Sequence, residues 1–222
     1  MAGKLIVIEG LDGSGKATQA ARLRETLAAN GLPVRQVSFP VYESDSSALV
    51  QMYLAGAFGS DPGDVNAYAA SSFYAVDRFA SYKSDWGSFY RDGGIIIADR
   101  YTTSNAIHQC SKLPEGEWDG FLKWLFDYEY GLLGIPAPDL VLYLRVDRDV
   151  SQALMTGRYQ GDETKKDIHE RNSAYLSRSE QAALYCAEKL NWQTISCTGG
   201  GQMRSIEDIG AEILNAVSPL LP

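Results

Sequence analysis

The sequence predicts an α/β fold, a five-stranded parallel sheet with helices on both faces. Five short, nearly continuous apolar runs recur along the chain, and such runs are strands buried on both faces. Segments with apolar residues at helical spacing separate them, and strands alternating with helices argue for a parallel sheet joined by crossovers. The proportions agree: 222 residues, 45% hydrophobic and 22% charged, suit one α/β domain with a full core and exclude wholesale disorder.

Taken in order, Lys4–Glu9 (KLIVIE) is the first strand. A glycine-rich turn leads into a helix from Lys16 to Asn30, with Ala20, Leu23 and Leu27 on one face and Gly31 and Pro33 closing it. Val34–Phe39 is the second strand, ended by Pro40. Ser46–Gly56 reads as helix, Gly59–Gly63 as loop and Asp64–Tyr90 as a long helical stretch that Gly93 and Gly94 break. Ile95–Ala98 is the third strand, followed by helices over Thr103–Ser111 and Trp118–Tyr130. Pro136 and Pro138 precede the fourth strand, Leu140–Leu144, and a helix over Asp149–Met155. Gly157–Asp167 is polar, charged and glycine-containing. A long helix over Ile168–Leu190, a fifth strand at Trp192–Ser196, a loop at Gly199–Gly201 and a helix over Ile206–Val217 complete the chain. With no repeat or interdomain linker, the simplest organisation is one domain over residues 1–222 with an insertion at 157–167.

Charge and composition narrow the function. Twenty basic and 28 acidic residues give a net charge of −8, which argues against coating a nucleic acid polymer. It leaves room for a small phosphorylated ligand held by a few aimed cations. No apolar run approaches the ~20 residues of a membrane span, and no basic segment precedes a long apolar one, so neither a membrane partner nor a secretory signal is expected. Cys110, Cys186 and Cys197 are scattered, without a CxxC or Cys/His cluster. They argue against zinc or a disulfide framework and for a reducing cytoplasm.

The strongest motif is Gly10-Leu11-Asp12-Gly13-Ser14-Gly15-Lys16, a G-x-x-x-x-G-K between a buried strand and a helix. Small residues let successive backbone N–H groups face one concavity. The helix N-terminus adds partial positive charge, and Lys16 reaches the β- and γ-phosphates of a nucleotide. An unrelated glycine-rich turn seldom carries lysine at this offset. Ala17 stands where a Ser or Thr hydroxyl would ligate Mg²⁺. Thr18, about 100° further round the helix, suits an α-phosphate better than that metal position. Mg²⁺ is then held by phosphate oxygens, water and a carboxylate elsewhere.

Asp99-Arg100-Tyr101 follows the third strand directly, and ligands of parallel sheets bind beyond the strands' carboxyl ends. A carboxylate there can orient metal-bound water, and an arginine can bridge donor and acceptor phosphoryl groups. Without the phosphate loop beside it, the tripeptide would read as a structural ion pair. Tyr74 and Arg78 are four residues apart on a helix, so ring and guanidinium share a face. They suit a stacked base with its carbonyl read by arginine, but taken by themselves they favour a core aromatic beside a solvated cation.

Together these motifs resemble the thymidylate kinase family, whose members make dTDP from dTMP. The likeness runs through Glu9–Gln19, Phe39-Pro40, Tyr74-x-x-x-Arg78, Asp99-Arg-Tyr-x-x-Ser-Asn105, Pro138–Leu144 and Asp167-Ile-His-Glu170. It implies a P-loop NTPase-type fold with a lid, ATP as donor, Mg²⁺ as cofactor, dTMP as acceptor and a homodimer. Gly10, Leu11, Asp12, Gly13, Ser14, Gly15, Lys16, Ala17 and Thr18 would hold ATP. Asp12 would also meet the acceptor's 3′-hydroxyl. Tyr74, where Phe is usual, would stack on thymine; Arg78 would bond its O4, and Asn105 would lie at its N3/O4 edge. Arg100 would hold the acceptor phosphate and Asp99 a Mg²⁺-bound water. Phe39, Tyr42, Ser104, His108 and His169 would line the acceptor side, with His108 where an aromatic beneath the sugar is common. The lid would fall at 157–167, and because Gly13 leaves the loop without an extra cation, Arg158 is the first catalytic candidate, ahead of Lys165 and Lys166. Arg158 could instead stack on adenine. His169 replaces an aromatic before Glu170, and Arg145 replaces an acidic residue. The rival readings are a kinase for another deoxynucleoside monophosphate and a non-catalytic nucleotide-binding protein, the latter prompted by Ala17.

Overall fold

The computed structural model describes residues 3–158, 168–169 and 172–221. Strands β1 (Lys4–Glu9), β2 (Val34–Ser38), β3 (Ile95–Asp99), β4 (Leu140–Arg145) and β5 (Gln193–Ser196) form one sheet in the order β2-β3-β1-β4-β5. Every neighbouring pair is parallel. Alternation divides the strand residues between two cores. Leu5 and Val7 of β1 join Ile96 and Ala98 of β3 beneath α3 (Ala67–Ser81), α5 (Thr102–Cys110), α6 (Trp118–Phe126) and α8 (Ser173–Lys189). Ile6 and Ile8 join Ile95, Ile97 and Leu142 beneath α1 (Lys16–Ala29) and α9 (Ile206–Val217). Both faces are therefore covered, which is why the strands are apolar at successive positions.

The β1–β3 register sets Ile8 opposite Asp99. Glu9 and the loop after β1 thus lie beside Asp99 and Arg100 at the carboxyl edge of the sheet.

Four local features differ from the sequence expectation. The helical stretch predicted over 64–90 begins only after Asn66, whose side chain caps the Ala69 N–H at 2.9 Å. It then widens into a π-turn at Tyr82–Trp86 before α4 (Gly87–Arg91). The helix predicted over 118–130 likewise passes into a π-turn at Asp127–Leu132. The helix predicted from Ile168 starts at Ser173, because the Asn172 side chain accepts from Tyr175 N and ends the preceding turn. Ile168 instead packs beside Tyr53 and Ala70. Finally, the loop expected at Gly199–Gly201 is part of a small antiparallel hairpin, in which Gly200 and Gly201 turn β6 (Thr198–Gly199) into β7 (Gln202–Met203). Among the described residues, α2 (Ala48–Leu54) and α7 (Arg148–Arg158) are the other α-helices. No helix among the described residues is long and apolar enough to cross a membrane.

Candidate active site

A cavity of about 1200 Å³ opens along the carboxyl edge of the sheet. One end is formed by the phosphate loop, Thr18 and the segment from Met203 to Ile206; the other by Tyr74, Arg78, Asn105 and His108. Asp12, Asp99 and Arg100 line the join between them. The volume exceeds that of an ordinary single-ligand pocket and suits two ligands held end to end.

Local conformation shapes the first end. Gly13 and Gly15 have φ of 78° and 80°, in the left-handed region that a side chain disfavours. Gly15 thereby turns the chain into α1 without any side-chain cap, leaving the first backbone N–H groups of a 14-residue helix open to an anion. Lys16 folds back, donating to the Leu11 carbonyl at 2.8 Å and to Ser14 Oγ at 3.4 Å. Gly10 and Leu11 stand apart from the cavity wall: Leu11 lines a small pocket behind the loop with Tyr143 and Ser151.

Charge is concentrated at the join. Arg100 donates to the Asp12 carboxylate, both groups being half-buried. Its own φ of 67° is unusual for a residue with a side chain, a form of backbone strain that concentrates at functional sites. Burial opposes charge on Asp12, but Arg100 and then Lys16 outweigh it and hold the carboxyl well below the usual carboxylate range. Burial, and next Arg100, push the Lys16 ammonium down to about 8. Burial also opposes the Arg100 cation, but Asp12 and Glu9 raise its pKa further. Glu9 is fully buried, accepting from the Gly10 N–H, Thr103 Oγ1 and Ser104 Oγ at 2.7–2.8 Å. It therefore ties the phosphate loop to the start of α5.

The second end is built on helix faces. Asn105, His108 and Gln109 lie at i, i+3 and i+4 of α5 and all line the cavity. Tyr74 and Arg78 face them from α3. Arg78 is buried and forked onto Glu129 through Nε at 2.7 Å and Nη2 at 2.5 Å, so its alternative reading as a solvated cation does not hold. His108 and His169 stack with rings 6.0 Å apart, and Tyr175 packs against both. Burial first, then Arg100, pushes His108 down to about 3; burial, His108 and Lys112 push His169 well below its ordinary value. Both imidazoles are neutral at pH 7. His169 Nε2 lies 2.7 Å from Tyr53 Oη, which also accepts from Lys112 Nζ.

The cavity brings together Asp12, Gly13, Ser14, Gly15, Lys16, Ala17 and Thr18 with Asp99 and Arg100. It also gathers Phe39, Tyr42, Tyr74, Arg78, Ser104, Asn105, His108 and His169. Of the lid expected at 157–167, Gly157 and Arg158 form the last positions of α7, while residues 159–167 and Glu170 lie outside the described residues, as does the side chain of Arg158. Three further residues emerge only from the structure. Glu9 is the buried tie just described. Glu129 is the partner of Arg78; its signal was an acidic residue four after Leu125, on the face that carries Trp118, Phe121, Leu122 and Leu125 inward. Gln109 is fully buried, and among the described residues neither of its amide atoms has a hydrogen-bond partner. A buried unpaired carboxamide beside a cavity is placed to bond what enters it.

Among the described residues no three His, Cys, Asp or Glu converge into a metal cage. A metal that arrives on phosphates and keeps its waters needs only one or two carboxylates. Asp99, buried at the end of β3 and facing the cavity, fits that role.

Comparison with known proteins gives one answer. A family model described as thymidylate kinase matches residues 8–209. A thymidylate kinase of Mycobacterium tuberculosis is 31% identical over 178 residues, 79% of this chain and 81% of that protein. One of Plasmodium falciparum is 27% identical over 98% of this chain and 91% of its own length. The solved structure of a thymidylate kinase from Candida albicans superposes with a TM-score of 0.71 over 99% of this chain and 92% of that one, at 21% identity.

Proposed function

The chain belongs to the thymidylate kinase family, and from that premise we propose the reaction of its cavity: transfer of the γ-phosphoryl group of ATP to dTMP, giving dTDP and ADP. The observation that carries the reading is a single cavity with a phosphate loop at one end and the Tyr74–Arg78–Asn105 cluster at the other. Arg100 and Asp12 stand between them.

In this reading an acceptor phosphate oxygen attacks the γ-phosphorus in line. That oxygen is already anionic, so no strong general base is required, and catalysis consists of positioning and charge neutralisation. The loop N–H groups and Lys16 hold the β- and γ-phosphates. Arg100 swings between Asp12 and the phosphoryl oxygens, and Asp12 accepts from the sugar 3′-hydroxyl. Tyr74 stacks on the base, Arg78 donates to O4, and Asn105 and Gln109 meet the remaining polar edge. Phe39, Tyr42, Ser104, His108 and His169 wall the sugar and phosphate. Asp99 would hold Mg²⁺ through water, Ala17 offering no hydroxyl, and the ion would supply charge neutralisation on the triphosphate.

The same reading takes residues 1–222 as one kinase unit whose lid, at 157–167 with Arg158, excludes water and completes the cation set. It also takes the enzyme as a cytoplasmic homodimer.

A coupled ADP-release assay with ATP and Mg²⁺ tests the reaction against dTMP, dUMP, dCMP, dGMP, CMP and UMP. Turnover should be dominated by dTMP. A different preferred acceptor would reassign Tyr74, Arg78 and Asn105, and ATP binding without turnover on any acceptor would overturn the kinase reading.

A further inference from the structure

Two side chains that line the acceptor end, Arg78 and Asn105, are held by a residue that does not line it. Glu129 is fully buried and is absent from the cavity wall. Its carboxylate is nonetheless saturated. Oε2 accepts from Arg78 Nε at 2.7 Å and Thr102 Oγ1 at 2.8 Å; Oε1 accepts from Arg78 Nη2 at 2.5 Å and Asn105 Nδ2 at 3.2 Å. These bonds come from two helices, α3 and α5, and meet on the π-turn after α6.

The consequences for the two wall residues differ. The forked pair fixes the guanidinium plane of Arg78; Nη1 also donates to the Tyr101 carbonyl at 3.4 Å, which leaves the second N–H of Nη1 and the outer N–H of Nη2 for other partners. Because the pair is neutral as a whole, what it offers the cavity is a rigid donor suited to an uncharged carbonyl oxygen more than to a phosphate. Asn105 is fixed in a second way. Its Nδ2 donates both to Glu129 Oε1 and to the Ser71 carbonyl, at 3.2 and 3.1 Å. Two acceptors on one side determine which way the amide points, since a flipped amide would turn Oδ1 against a carboxylate and a carbonyl. Neither bond uses Oδ1, so Asn105 offers the cavity an acceptor.

We propose that Glu129 is a positioning residue for base discrimination: through Arg78 and Asn105 it sets a donor beside an acceptor at the wall. This rests on the acceptor reading above. A 4-oxopyrimidine, with a carbonyl at C4 and an N–H at N3, complements that pair. Cytosine, with an amino group at C4 and a bare nitrogen at N3, opposes it at both positions. Thymine and uracil share the recognised edge, so Glu129 governs the 4-oxo against 4-amino choice and leaves the 5-methyl choice untouched.

The test is steady-state kinetics of the full chain, wild type and Glu129→Gln, with dTMP, dUMP and dCMP under saturating ATP and Mg²⁺. In either orientation the new amide puts an NH₂ against a guanidinium N–H. The expected result is a fall of at least tenfold in the dTMP-over-dCMP ratio of kcat/KM, arising chiefly from a higher KM for dTMP. The dTMP-over-dUMP ratio and the KM for ATP should stay within twofold. A merely structural role would lower activity on all acceptors alike and raise the KM for ATP; that pattern, or an unchanged dTMP-over-dCMP ratio, overturns the inference. Glu129→Asp keeps the charge on a shorter arm and should restore part of the ratio. If Glu129→Gln does not fold by circular dichroism, Glu129→Asp decides: a loss of twofold or more in dTMP-over-dCMP supports the role and a smaller one overturns it. A wild-type enzyme with no preference for dTMP over dCMP overturns the acceptor reading and this inference together. A preference that survives the substitution overturns the inference alone.

Discussion

Lys16 sits where its charge is least comfortable without a ligand. Burial and the neighbouring Arg100 bring its ammonium down to about 8 from the ordinary 10.5. Its nearest partners are the neutral Leu11 carbonyl and Ser14 hydroxyl. The sign follows from linkage: between pH 8 and 10.5 the unfolded chain holds a proton that the folded chain has released, so this group makes stability rise with pH across that window. A triphosphate in the loop reverses the balance by supplying the opposite charge, and the pKa climbs back. Binding of ATP at pH 8 should therefore take up about half a proton, and at pH 6.5 almost none. Titration calorimetry in two buffers of different ionisation enthalpy reads the uptake directly. The same proton uptake at pH 8 as at pH 6.5 would mean that Lys16 does not meet the phosphates.

Helix α3 shows how an element sets a site through its ends. It carries Tyr74 and Arg78 toward the cavity, while Asp77 on the same helix accepts from Val41 N and Ser46 Oγ and so anchors the segment that bears Tyr42. Its entry is fixed by the Asn66 cap on Ala69 N. Asn66→Ala should cost about 1 kcal/mol, lowering Tm by about 2–4 °C for a chain of this size; an unchanged calorimetric melt would mean that water replaces the cap. What the sequence disclosed follows the same division between pattern and partner. The strands were legible because each is apolar on both faces, and the phosphate loop because glycines and lysine stand in fixed order between a strand and a helix. Tyr74 with Arg78 was legible as a helical pair, but the burial of Arg78 was not. Its partner Glu129 lies 51 positions away, and no local pattern couples them. The start of α8 was misplaced because Ile168 continues a helical apolar spacing while tertiary packing against Tyr53 claims it. The β6–β7 hairpin escaped notice because two-residue strands carry no periodicity.

The neutral histidines make acid sensitivity a property of the whole molecule, because they are held by elements far apart in the chain. His108 comes from α5, His169 from the turn before α8, Tyr175 from α8 itself and Tyr53 from α2. Arg100, Lys16 and Lys112 face them with positive charge and Asp12 with negative. Unfolding separates all of these at once and returns each imidazole to its ordinary value near 6.5. Between that value and about 3, the unfolded chain binds a proton at position 108 that the folded chain refuses. Stability is thus lost as pH falls from 6.5, and with solvent screening of a half-buried ring His108 alone accounts for about 1 kcal/mol at pH 5. His169 acts in the same direction. Asp12 does not enter this range: both its ordinary value of 3.8 and its lowered folded value lie below pH 5, so its contribution is constant from pH 5 to 7. Lys112, brought to about 7 by burial, contributes only at the upper end. The fall in Tm between pH 6.5 and pH 5 should accordingly be shallower in His108→Phe, which keeps a ring against Tyr175 and His169 but removes the titrating nitrogen. Scanning calorimetry of both proteins across that interval measures the difference. Parallel curves would mean that His108 is charged in the folded chain at pH 5, and that water reaches the acceptor end of the cavity without the neutral stack that closes it in this fold.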